Sequence, residues 1–263
     1  MKKTLIALAV AASAVVSGSA MAWDHGGTGG NMKFGGTLIP TAAGNPWEVK
    51  VGSDASGLDA VIAEGGSLAK IAVKQPILVL GIRTATNKAF MGRSGFTPQI
   101  NFGDAVDVDG FDNGVTTLTL DVKNGADKIG KLTVPFNVGA VISFKNEPKM
   151  GDKYGYLSAH SENGGIRGFA GGLSASWDGV NKEPLPLLNS LSAELMANFD
   201  SQGMSFNGNG YSHSFASDEA SFSAAYGAGI LDGDFITITL NDDVQFDNAI
   251  RWSASLPVTV SYV

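Results

Sequence analysis

The side chains that could do chemistry are few and poorly spaced for it. Histidine occurs three times, at His25, His160 and His213, each in a glycine- or serine-rich context. None stands in a metal-ligand spacing such as His-Glu-x-x-His, where imidazoles one helical turn apart could grip zinc. Cysteine is absent, which removes thiolate ligands and thiol nucleophiles. There is no Gly-x-Ser-x-Gly elbow and no Walker loop. The glycines at 26–30 follow no strand of the mature chain, so they do not fit a dinucleotide loop. Carboxylates are plentiful, but nothing in their spacing selects a pair for acid–base work. The densest run, Asp104–Asp112 (DAVDVDGFD), loosely resembles a calcium loop at Asp107, Asp109, Gly110 and Asp112. The twelve-residue pattern fails, and no bidentate glutamate follows at the required position. A polar turn is the better reading. The chain therefore reads as a non-enzyme with no cofactor and no metal.

The elements around these residues point elsewhere. Residues 1–22 have the form of a bacterial export signal. Lys2 and Lys3 are basic, Thr4 to Val16 is apolar but too short to span a bilayer, and Ala20-Met21-Ala22 is a small-x-small site. Cleavage is expected between Ala22 and Trp23. Removing these 22 of 263 residues leaves 241, with 16 basic against 25 acidic side chains and a net charge of −9. Such an acidic chain lacks the basic face that phosphate contacts need, so no nucleic-acid partner is expected. Without disulfides the core alone must hold the fold, and 35 glycines with 16% charged residues suit an all-β protein rich in tight turns.

Strand patterns recur along the chain. Trp47–Val51 alternates, and Leu68–Val73 is a short strand. Gly52 to Gly66 reads as loop with one helical turn around Leu58–Ile62. Pro76–Leu80 is a continuous apolar run, as expected for a strand buried on both faces. Ile100–Phe102 follows. Val115–Val122 alternates and ends at the Asn124-Gly125 hairpin signal. Ile129–Phe144 returns as strand, interrupted by Pro135. From 145 to about 215 loop residues accumulate, and Leu187, Leu188, Leu191 and Leu195 recur at helix spacing after Pro184 and Pro186. This region reads as an inserted loop and helix subdomain. Strands resume at Ser221–Tyr226 and Phe235–Leu240, around an Asp232-Gly233 turn.

The two ends of the mature chain carry the sharpest features. Near the start, Thr28, Gly30, Met32 and Phe34 share one parity within a glycine-rich segment, as in a loosely tethered strand. At the other end Trp252, Ala254, Leu256, Val258, Val260 and Tyr262 alternate with Ser253, Ser255, Pro257, Thr259 and Ser261. One face is apolar and the other is small and polar. Pro257 favours an edge or a local break in pairing.

With these ends, the chain resembles the K88 fimbrial family, chaperone–usher pilins of enterotoxigenic enteric bacteria. The signal MKKTLIALAVAASAVVSGSAMA carries the likeness, as do PWEVKVG (46–52), QPILVLG (75–81), TPQINF (97–102), SFSAAYGAGILDGDFITITL (221–240) and RWSASLPVTVSYV (251–263). The likeness covers nearly the whole chain and is weakest over 145–215. It implies an all-β, incomplete immunoglobulin-like sandwich completed by donor-strand exchange. It divides the chain into a signal (1–22), a donor extension (23–36) and a pilin domain (37–263, insertion about 145–215). The donor would be Gly26–Phe34, with Thr28, Gly30, Met32 and Phe34 facing the groove and Met32 and Phe34 as its main plugs. The strand from Trp252 to Tyr262 would form one wall of the acceptor groove and face the chaperone. The implied partners are a periplasmic chaperone, an outer-membrane usher and neighbouring subunits, in a fimbrium on the cell surface. The insertion would correspond to a region tied to host-glycan binding, for which Tyr154, Tyr156 and Trp177 are the candidates. It lacks a clear sugar-binding cluster, which favours a minor subunit; a major adhesive subunit is the alternative.

Overall fold

A computed structural model describes residues 44–63, 65–242, 244 and 249–263. The signal, the Ala22–Trp23 junction and the segment bearing Thr28, Gly30, Met32 and Phe34 lie outside the described residues.

The alternating and apolar runs fold as strands, and the fold is all-β. In chain order these are β1 (Trp47–Val51), β2 (Leu68–Ala72), β3 (Ile77–Thr84), β4 (Phe90–Met91), β5 (Pro98–Asn101) and β6 (Val115–Asn124). There follow β7 (Asp127–Glu147), β8 (Gly151–Leu157), β9 (Gly210–Tyr211), β10 (Ser221–Ile230), β11 (Phe235–Leu240) and β12 (Thr259–Tyr262). A short helix, α1 (Pro184–Leu191), and one 3-10 turn over Ala193–Met196 lie between β8 and β9. The turn signals act where expected: Gly125, between the paired β6 and β7, and Gly233, between β10 and β11, take positive φ, 61° and 88°, which a residue with a Cβ adopts only at a cost.

β7 is the axis, 21 residues long. At Asn137 it pairs with both Val115 of β6 and Gly229 of β10, so those strands occupy opposite edges. β8 faces β10 across Val141–Phe144 in the same way, and β11 faces β6 across Gly130–Thr133. One edge of β7 thus carries β11 then β10; the other carries β6 then β8. β10 leads outward to β3 and β1, and β11 leads to β2. All of these strands belong to one branched ten-stranded sheet, and β5 with β12 forms a second, two-stranded one.

The interruption expected at Pro135 does not occur. Odd-numbered residues of β7 turn their backbone groups to the β10/β11 edge, as the 2.9 Å bond from the Asn241 N–H to the Ile129 carbonyl requires. Pro135 falls between the end of the β11 pairing at Thr133 and the start of the β10 pairing at Asn137. Its missing N–H therefore forfeits no ladder bond.

The main core gathers Leu80, Ile82, Phe136, Phe144, Phe222 and Tyr226, all fully buried. Trp47 adds edge contacts to Phe90, Phe169 and Phe215, with centroids 5.0–5.6 Å apart. The leucines at helix spacing behave as expected: Leu187, Leu188 and Leu191 on α1, with Leu195 beyond it, are buried against Val141 and Ala225. Small residues on the sheet let α1 approach closely. A Cβ on Gly139 would lie 3.0 Å from Pro184, and one on Gly227 would lie 2.8 Å from Leu188.

A candidate strand-acceptor groove

The segment from Arg251 to Val263 alternates between exposed and half-buried at every residue. The half-buried positions are Trp252, Ala254, Leu256, Val258, Val260 and Tyr262, and all six rest on the main core. The unbroken period of two means an extended chain without a bulge. Among the described residues, however, only Thr259–Tyr262 is paired as a strand, with Asn101–Pro98 of β5. Higher up there is one bridge, in which Ser253 and Lys123 of β6 exchange N–H to carbonyl bonds of 2.9 and 2.8 Å. At the lower end Val263 and Thr97 exchange two more, both 3.2 Å.

These bonds all involve odd-numbered residues, so β6 and β5 serve the same edge of the segment. The backbone groups of Ala254, Leu256 and Val258 point to the other edge. Among the described residues no strand pairs there. Pro257 is odd-numbered, so its missing N–H falls on the served edge, between the two partners. The open edge keeps its donors.

Beside that edge lies a cleft of about 900 Å³. Trp252, Ala254, Leu256 and Val258 line it, and Leu118, Leu132 and Ile236 of the core also contribute to its lining. Ile77 and Val79 border it too, and they are half-buried. The run Pro76–Leu80 is thus not buried on both faces along its length; burial becomes complete only at Leu80. A cleft with apolar lining and an unserved backbone edge offers both things an extended peptide needs: pockets for alternate side chains and hydrogen-bond partners.

Residues 1–263 match a family whose description is "Fimbrial, major and minor subunit", the K88 fimbrial family. The chain belongs to the K88 fimbrial family. Over the full length of both proteins it is 30% identical to K88 fimbrial protein AB, 29% to K88 fimbrial protein AD and 28% to F41 fimbrial protein, all of Escherichia coli. It is a subunit of surface fimbriae, within a family of structural proteins.

Of the residues expected to form the acceptor wall in this K88-family subunit, Trp252, Ala254, Leu256 and Val258 face the cleft. Val260 and Tyr262 share their parity but lie lower, where β5 pairs. Burial holds the Tyr262 phenol above its usual range, against a hydrogen bond with Asn45. The contributions of Ile77, Val79 and Ile236 were not expected. Nothing in their own segments distinguishes a groove residue from a core residue, since each sits in an ordinary apolar pattern.

The insertion candidates separate. Tyr154 is buried, its ring 5.0 Å from Phe199 and 5.4 Å from Phe206. Tyr156 is buried as well. Trp177 is half-buried, 5.2 Å from the His160 ring. The acidic run is a turn: the Asp107 carboxylate accepts the N–H groups of Asp109 and Gly110 at 3.3 and 3.0 Å. His213 is buried. Its Nδ1 accepts the Phe215 N–H at 2.9 Å, and its Nε2 lies 3.7 Å from Glu147.

Proposed function

We propose that this K88-family chain is joined to its neighbours by donor-strand exchange along the chaperone–usher route. The observation that carries the reading is the segment Ser253–Val258, whose apolar face borders a cleft and whose other backbone edge has no strand among the described residues. In this reading a periplasmic chaperone lends a strand to that edge. At the outer-membrane usher the next subunit's Gly26–Phe34 replaces it, with Met32 and Phe34 filling the cleft and Thr28 and Gly30 at its shallow end. Each large apolar side chain fully buried contributes ~1.5–3 kcal/mol. Each net hydrogen bond adds ~0.5–1.5 kcal/mol. Two plugs and several ladder bonds together reach roughly 10 kcal/mol before the cost of ordering a glycine-rich tail.

The test compares the mature chain with a version lacking Trp23–Phe34, each co-expressed with its chaperone and run unheated on a denaturing gel. A ladder of heat-labile multimers from the longer chain alone is the expected result. Stable monomers from both would end the donor-strand reading. A minor, non-adhesive place in the fimbria is the narrower proposal, supported by the burial of Tyr154 and Tyr156, whose rings are committed to packing. The alternative is an adhesive subunit that binds host glycans through the insertion, and the half-exposed Trp177 beside His160 is what favours it. A glycan-array signal abolished by Trp177→Ala would decide for the adhesive role.

A further inference from the structure

Between β1 and β2 the chain runs without regular structure in the described residues of 52–67, long for a connection in a compact domain. It leaves β1 anchored by the Gly52 N–H on the Val79 carbonyl, 3.0 Å. After that, among the described residues, Ser53–Ala63 makes no hydrogen bond to the rest of the domain. The bond from the Gly66 N–H to the Ala63 carbonyl, 2.8 Å, is local. The expected helical turn at Leu58–Ile62 does not form. What holds the segment is two aliphatic side chains, Leu58 and Ile62, half-buried on the main core. Val61 next to them is 95% exposed. Leu58 also lines the same cleft as Trp252, Leu256 and Val258.

We infer that Ser53–Ala63 is a displaceable cover on the acceptor cleft, with Leu58 seated where a side chain of an incoming strand goes. The inference rests on the strand-acceptor reading. Its physical basis is an imbalance of attachments. Among the described residues, release of the cover breaks no hydrogen bond to the domain and exposes the buried halves of two aliphatic side chains. An incoming strand brings side chains of its own and ladder bonds for the open edge. The cover therefore loses to a strand, yet while seated it shields apolar surface that would otherwise invite indiscriminate pairing. Serine, aspartate and glycine make up most of Ser53–Asp59, so the released segment is at ease in water.

The absence of cysteine gives a clean test, because each engineered thiol is unique. Leu58→Cys and Val61→Cys are introduced separately into the mature chain, and maleimide labelling is timed with and without a synthetic peptide of Trp23–Gly36. Binding of the fluorescent peptide is followed in parallel. The expected result is labelling at Leu58→Cys that quickens by about tenfold when the peptide binds, while Val61→Cys stays fast throughout. A second variant, Leu58→Ser with Ile62→Ser, is expected to capture the peptide about tenfold faster than the parent. Peptide binding that leaves Leu58→Cys as protected as before overturns the cover and leaves the acceptor reading standing. Should the double variant not fold, labelling at Leu58→Cys decides alone. Peptide that binds no form overturns both readings.

Discussion

Leu256 offers a way to test the proposed capture of a strand at the cleft. It lines the cleft and is half-buried over the main core. Full burial of a leucine side chain is worth ~1.5–3 kcal/mol. Roughly half of that, about 1 kcal/mol, is realised in the free domain, and the remainder becomes available when a strand covers the cleft. Leu256→Ser should therefore lower the stability of the free domain by about 1 kcal/mol and that of the strand-filled domain by about 2. The difference, about 1 kcal/mol, weakens strand capture by about fivefold. Leu80 is the control: at 0% exposure its replacement by alanine should cost ~2–5 kcal/mol in both states and leave capture unchanged. Urea unfolding of the mature chain gives the first quantity, and titration with a labelled Trp23–Gly36 peptide gives the second. A Leu256→Ser variant that loses stability like a core leucine, with peptide affinity intact, would refute the reasoning.

Two further outcomes follow from the buried groups. Burial holds the His213 imidazole below its usual pKa, against the opposing pull of Glu147. The unfolded chain then binds that proton more readily than the folded one. Stability is full above the ordinary histidine range and falls as pH drops through it. The urea midpoint should be lower at about pH 5 than at about pH 7.5, and His213→Gln should flatten that slope. An unchanged slope would place the acid sensitivity elsewhere. At Gly227 an added Cβ would lie 2.7 Å from Leu195 and 2.8 Å from Leu188. Gly227→Ala should cost ~1–3 kcal/mol and raise hydrogen exchange over 184–196, as α1 lifts from the sheet. Exchange that rises across all strands equally would mean global loosening and contradict this local account.

How much of this could be read from residue order depends on whether an element has two unlike faces. β11 and the segment from Trp252 to Tyr262 each have one face on the core and one in solvent, so their alternation was legible and their parity correct. The leucine spacing of α1 was legible for the same reason. β8 was not: Tyr154, Gly155, Tyr156 and Leu157 are all buried, so no alternation marks it, and the texture past residue 145 looked like loop. Pro135 misled because a proline interrupts a strand only where its N–H is wanted, and that depends on neighbours far away in the chain. The cleft was half legible. Its Trp252–Val258 wall carries a local period, whereas Ile77, Val79 and Ile236 become rim and lining only once β3 and β11 are in place.

The long strand β7 has a mechanical consequence. A fimbria is a rope, and in the proposed mode of joining, tension on it passes through each subunit from its cleft to its N-terminal strand. In the proposed strand exchange, a strand held at the cleft would lean on Ser253 and Thr259–Tyr262, which are paired with β6 and β5. β6 is laced along β7 from Asn124 to Val115, so force enters β7 parallel to its length. A strand pulled along its axis must slip many hydrogen bonds at once, whereas one peeled from an end gives them up singly. Because β7 is paired on both edges, with β10 and β11 on one and β6 and β8 on the other, shear along it loads all four neighbours together. The same strand that sets the topology also serves as the tendon of the subunit.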